Sequence, residues 1–201
     1  MKTFIAQALF NSHSYLEYRK LMADLLKDGK STAVEQTQER THYSELNESR
    51  MRRLDKTMHI TDENGAKLKA LTKRYIWLVL SESWCGDAAQ ILPILHKMEL
   101  ESNGKIEMKL VLRDENETLM NHFLTHKGKA IPKLIVIDKE TGSVVGDWGP
   151  RPQGAVNLIE AYKAEFGSID ETVKANLQLW YLHDKGLSTQ NEIIQLLQNL
   201  E

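Results

Sequence analysis

Ser81-Glu82-Ser83-Trp84-Cys85-Gly86-Asp87-Ala88 joins two unlike patterns. Before it, Tyr75 to Leu80 is a short, continuous apolar run, the signature of a buried strand. After it, Ala88, Ala89, Ile91, Leu92, Leu95 and Met98 recur at helical spacing. The only cysteine of the 201 residues therefore stands where a strand hands over to a helix. The first turn of a helix carries unpaired backbone N–H groups and the positive end of the helix dipole. A thiolate there is stabilised, so this position predicts a lowered pKa and a reactive Cys85.

With these residues the chain resembles the thioredoxin superfamily. Members carry W-C-G-P-C after a central strand, a proline eight residues beyond the first cysteine, and a hydrophobic-Pro pair with a cis bond that opens the next strand. Here Trp84-Cys85-Gly86 matches the start, Pro93 falls at the helix position, and Ile131-Pro132 precedes the strand-like Lys133 to Asp138. The resemblance covers about residues 70 to 166. It implies an α/β fold, a thioredoxin-like mixed sheet flanked by helices, with N-terminal and C-terminal helical extensions. It further implies that Ile131-Pro132 is cis and lies beside Cys85, and that Ile131 offers backbone groups to an extended substrate. Cys85, Trp84, Asp87 and Pro132 become the candidate catalytic residues, and Ile131, Gly86 and Arg151 the candidate substrate-binding ones.

The departures from the family pattern are informative. Ala88 replaces the second cysteine and Asp87 the proline, and Val79 stands where many members bury an acid. One thiol cannot run a dithiol cycle within a single chain. The motif is of a W-C-G-D type. Asp87 carries opposed expectations. A carboxylate in the first helical turn favours the helix by about 0.3–1 kcal/mol. It also disfavours a thiolate two residues away, and it is a candidate proton donor or acceptor for a substrate. Arg151, within Gly149-Pro150-Arg151-Pro152, is either aimed at an anion near the cysteine or an ordinary surface residue.

Composition excludes several classes. Charge is balanced at 26 basic against 28 acidic residues, which gives no electrostatic case for nucleic acid or an anionic membrane. A lone cysteine excludes an internal disulfide and suits a reducing, cytoplasmic setting. The piece Phe4 to Phe10 has no basic flank beyond Lys2 and makes a poor leader. No cofactor is expected, because neither a phosphate loop nor a dinucleotide glycine fingerprint occurs. No metal site is expected either: His122 and His126 share helical spacing but have no third ligand nearby in sequence.

Three regions are predicted: an N-terminal helical extension over 1–65, a thioredoxin-like domain over 66–167, and a C-terminal helical hairpin over 168–201, packed on the domain with the N-terminal helices. Ser14-Tyr15-Leu16-Glu17 reads as a capping box. Thr32 to Thr57 reads as a long, mostly exposed helix; its cluster Arg50, Arg52 and Arg53 is either an anion site or, as the favoured reading, a solvated face paired with Glu45 and Glu48. Asp62-Glu63-Asn64-Gly65 reads as a turn before a helix over 66–73, Asn116 to Thr125 as a short helix, and Ser188 as the cap of the last one.

The leading functional expectation is a single-cysteine redox protein. Cys85 forms mixed disulfides with protein disulfides or low-molecular-weight thiols and is resolved by an external thiol reductant. The alternatives are a non-enzymatic peptide- or protein-binding module, a Cys85 oxidation sensor and, more remotely, iron–sulfur binding with an external thiol.

Overall fold

The structure, a computed structural model, describes residues 3–201; Lys2 lies outside them. Helices α1 (Thr3–Phe10), α2 (Tyr15–Lys27), α3 (Gln38–Thr57) and α4 (Asp62–Lys69) precede the first strand, β1 (Tyr75–Ser81). Then follow α5 (Gly86–Glu101), β2 (Ile106–Leu112), α6 (Glu117–Asn121), β3 (Lys133–Asp138), β4 (Val144–Trp148) and α7 (Gln153–Phe166). The chain closes with α8 (Glu171–Asp184) and α9 (Leu187–Gln198).

The strands form one mixed sheet in the order β2-β1-β3-β4, with β1 parallel to β2 and antiparallel to β3. Helices cover both sides of β1, so its apolar run is continuous rather than alternating: Trp77, Leu78, Val79 and Leu80 are fully buried. Leu80 at the end of β1 pairs with Lys133 at the start of β3. That register brings the segment after β1, which holds Cys85, to the same sheet end as Ile131 and Pro132. The outer edge of β2 is not left open. His13 and Leu110 exchange both backbone hydrogen bonds at 2.8 Å, and Glu99 accepts the Met108 N–H at 2.8 Å.

Local signals set several helix ends as expected. Ser14 and Glu17 make the reciprocal capping box. Lys185, with φ of 53°, and Gly186 end α8. Others differ. The segment before residue 38 is a loop whose Ser31, Thr32 and Ala33 are buried, and Thr37 caps α3. Asp62 to Gly65 form the first turn of α4 because the Thr61 side chain accepts the Asn64 N–H; the helix ends at Lys69. Helix α6 is only five residues long. Gly186 stands at the N-cap of α9, and the Ser188 hydroxyl instead donates to Asp184 at 2.5 Å.

The extensions are part of one packed body. Helix α3 lies along α5, α9 packs on α4 and α5, and α8 lies beside α7. Tyr15, Tyr18 and Met22 of α2 and Val173, Leu177 and Tyr181 of α8 join the same core as the sheet. The chain end returns to the start of β1, where Glu201 accepts from the Thr72 N–H at 2.7 Å and the Tyr75 hydroxyl at 3.0 Å. Among the described residues no helix is long and apolar enough to cross a membrane.

Candidate functional site

The segment between β1 and α5 is fixed by buried polar groups. The Ser83 N–H donates to the Thr32 hydroxyl at 2.9 Å, and the Thr32 N–H donates back to the Ser83 hydroxyl at 3.0 Å. From α3, Ser44 meets the Ser83 hydroxyl at 2.7 Å and the Asn47 amide donates to the Ser83 carbonyl at 2.8 Å. Glu82 is buried and accepts from the Thr32 hydroxyl and, at 3.0 Å, from the Asp114 N–H. Burial pushes the Glu82 carboxyl up to about 7, against the lowering effect of those two bonds.

Cys85 follows as the N-cap of α5, with extended backbone angles and no side-chain cap bond. Its thiol donates to the Ile131 carbonyl at 3.3 Å. The peptide bond after Ile131 is cis, as is that between Gly149 and Pro150. The two prolyl segments touch backbone to backbone: at Gly149, with φ of +115°, a Cβ would sit 2.3 Å from the Pro132 carbonyl oxygen, so only glycine fits.

Cys85 is only 9% exposed, and its acidity goes against the helix-start expectation and in the direction expected from Asp87. Burial, and then the Asp87 carboxylate, push it up to about 12; the N–H groups of Ala88 and Asp87 and the Arg151 charge lower it less. The helix start does favour the thiolate, but desolvation outweighs it. Cys85 at rest is a protonated thiol.

Asp87 is itself buried, with both oxygens engaged. Arg151 donates to Oδ2 through Nε at 3.1 Å and Nη2 at 2.5 Å, and the Tyr181 hydroxyl donates to Oδ1 at 2.7 Å. Asp87 thus ties the start of α5 to the segment after β4 and to α8. Arg151 faces this carboxylate rather than standing free for a substrate anion. Trp84 packs under two guanidinium groups, Arg113 at 4.8 Å and Arg40 at 5.6 Å from its ring centre. Gly86 opens α5, with the Gln178 amide and Arg50 over it. Away from this site, His122 stacks on Phe4 at 4.2 Å.

These elements enclose a cleft of about 620 Å³ with Trp84, Cys85 and Gly86 on one side, Tyr43 and Arg50 of α3 on a second, and Lys174 and Gln178 of α8 on a third. Cys85, Trp84, Gly86, Asp87 and Arg151 all line it. Ile131, whose carbonyl accepts from the thiol, and Pro132 do not line it. Sequence reasoning misses Glu82, Ser44, Asn47, Gln178 and Tyr181. Arg50 is signalled by the arginine cluster, whose favoured reading is a solvated face. That reading holds for Arg52, which pairs with Glu48 at 3.4 Å, and fails for half-buried Arg50.

Comparison with known proteins adds the following. A thioredoxin family model matches residues 33–163, which takes in α3 through most of α7. No curated protein matches the chain. A Pseudomonas aeruginosa protein of unknown function shares the fold over the full length of both chains, with a TM-score of 0.65 and 16% identity. An HIV epitope-scaffold protein does so over 94% of this chain and 100% of its own, with a TM-score of 0.56 and 19% identity.

Proposed function

The chain belongs to the thioredoxin family, and on that premise we propose that it is a single-thiol member that exchanges with disulfides bound in the Cys85 cleft. The observation that carries this is the placing of its one cysteine: Cys85 lines a cleft of ligand size while its sulfur rests on the Ile131 carbonyl. The bound disulfide takes the place of that carbonyl as the partner of the sulfur. The thiol gives its proton to solvent, and the thiolate attacks one sulfur of the ligand. A Cys85–ligand disulfide forms, the ligand S–S bond breaks, and the departing thiolate takes up a proton. A low-molecular-weight monothiol then attacks the mixed disulfide and returns Cys85 to the thiol, because Ala88 offers no second sulfur. A reducing compartment such as the cytoplasm would supply that monothiol.

The high thiol pKa favours one competing reading, a binding module in which Cys85 is inert packing. The two separate in one experiment. Wild-type protein and Cys85→Ser are incubated with small disulfides, with adducts followed by intact mass and their release by added monothiol. Exchange predicts an adduct on the wild type only, formed faster as pH rises toward 10 and reversed by monothiol. A wild-type protein that binds the disulfide but forms no adduct up to that pH would refute exchange and leave the binding module.

A further inference from the structure

Resting on that reading, we infer that the Cys85 cleft selects a small disulfide or thiol that carries a carboxylate, with Arg50 as its anchor. The shielded arginines elsewhere in the structure have acids. Arg19 binds Glu48 and Asp55, Arg113 binds Asp114, and Arg151 binds Asp87. Arg50 has none: among the described residues its hydrogen bond is to the neutral Asn47 Oδ1, at 2.8 Å. Burial and, less, the neighbouring Arg53 disfavour its charge; Tyr43 opposes them in part, and no carboxylate does. A half-buried guanidinium held in place by Asn47 through Nη1, with no acid on its remaining N–H groups, is oriented to receive a carboxylate.

Its position ties it to the sulfur chemistry. A Cβ on Gly86, the residue after Cys85, would lie 3.9 Å from Arg50 Nη1 and 3.5 Å from Gln178 Nε2. The Gln178 oxygen is taken by the Gln90 amide at 2.8 Å, so its Nε2 is a second donor beside the same spot. The acids near the cleft do not cancel this. Asp87 is held by Arg151 and Tyr181, and Glu171 is held by Lys174 at 2.6 Å, which leaves Glu39 at the rim. The volume suits a small molecule, and α3 and α8 wall the cysteine on two sides, against the approach of a folded protein.

The test uses three symmetric disulfides of similar length: dithiodipropionate (dianion), hydroxyethyl disulfide (neutral) and cystamine (dication). Adduct formation at Cys85 is timed by intact mass at low salt and at about 0.5 M salt. The dianion is expected to react at least about tenfold faster than the dication, with the preference shrinking in salt. Arg50→Gln should abolish the preference and Arg50→Lys should keep part of it. The salt series on the wild type decides the matter even if Arg50→Gln does not fold. Equal rates for all three would overturn the carboxylate inference and leave exchange standing. Reaction with none, while calorimetry shows dithiodipropionate binding to Cys85→Ser and not to its Arg50→Gln double variant, would overturn exchange and keep the anion site. Neither adduct nor binding overturns both. A disulfide-linked protein reacting faster than dithiodipropionate would overturn the small-molecule assignment.

Discussion

Replacing Asp87 by Asn should make Cys85 more reactive while making the protein less stable, and the opposed signs are what make the variant useful. The Asp87 side chain is 8% exposed and Arg151 22% exposed. Removing one partner of a buried ion pair costs about 3–5 kcal/mol. Asn keeps the shape and can still accept the Tyr181 hydroxyl, and Arg151 keeps some water, so the loss belongs near the lower end, about 3 kcal/mol. It is read as a fall in the urea midpoint at unchanged slope. For the thiol, a pKa of about 12 leaves roughly one part in 10⁵ as thiolate at pH 7. Asp87 is the largest contribution to that shift after burial, and in the variant Arg151 stands beside the sulfur with no carboxylate opposite it. The second-order rate with a thiol reagent at pH 7–8 should rise by about tenfold or more, and the rate–pH curve should move to lower pH. Opening by unfolding would also return the thiol toward its ordinary range, about 8.5, so the rate is measured with and without a low urea concentration: a rate that climbs with urea reports opening, and one that does not reports the folded-state charge. If stability falls as expected while the curve stays in place, the charge of Asp87 does not act on the thiol, and burial alone would have to hold the proton on the sulfur.

Three further outcomes are expected. The folded-state pKa of Glu82, about 7, lies above its ordinary 4.5, so the folded state holds this proton more tightly than the unfolded chain. Stability from this group is therefore fully present below pH 4.5 and declines as pH rises toward 7. Glu82→Gln should remove that decline, seen by comparing urea midpoints of the two proteins at pH 5 and 8. Gly149→Ala places a methyl group against the Pro132 carbonyl at a positive φ, and it should abolish soluble, cooperatively folded protein in a thermal melt. Ala88→Cys puts a second sulfur one helical turn after Cys85, and mild oxidation should yield an internal disulfide, seen as a loss of two mass units and of both free thiols.

The strand-to-helix switch around Cys85 is legible in the sequence because both patterns are local: an apolar run in β1 and helical spacing in α5. The capping box at Ser14 and the stop at Lys185 are legible for the same reason, since each is written within four residues. The inner face of α3 is not. Its buried contacts toward the site are Ser44 and Asn47, polar residues that are inside only because Ser83 and its neighbours need hydrogen-bond partners there. Periodicity of apolar residues cannot register such a face. The acidity of Cys85 escapes the sequence on equally physical grounds. The favourable effect of a helix start belongs to the local sequence, whereas desolvation depends on Tyr18, Ile131 and α8 being packed around the sulfur. Glu82 gives no local sign either, because its burial rests on Thr32, fifty residues earlier.

Two departures from the family pattern prove to be one structural feature. Where W-C-G-P-C has proline, this chain has Asp87, and where the family fold ends, this chain adds α8. In the structure these meet: Asp87 is 94 residues from Tyr181, and their hydrogen bond closes the cleft from the α8 side. A carboxylate at the start of α5 facing water would have capped the helix and done little more. Covered by α8, it requires a counter-charge, which Arg151 supplies from the segment after β4. The same carboxylate then raises the pKa of the thiol two residues away, while helix α8 carries Gln178 and Lys174 to the cleft wall. The cysteine therefore sits in an enclosed setting that holds its proton on the sulfur. Tyr181→Phe should consequently loosen α8 from the start of α5 at a cost of about 1.5–3 kcal/mol, read as a fall in the urea midpoint; an unchanged midpoint would show that this bond does not join the two departures.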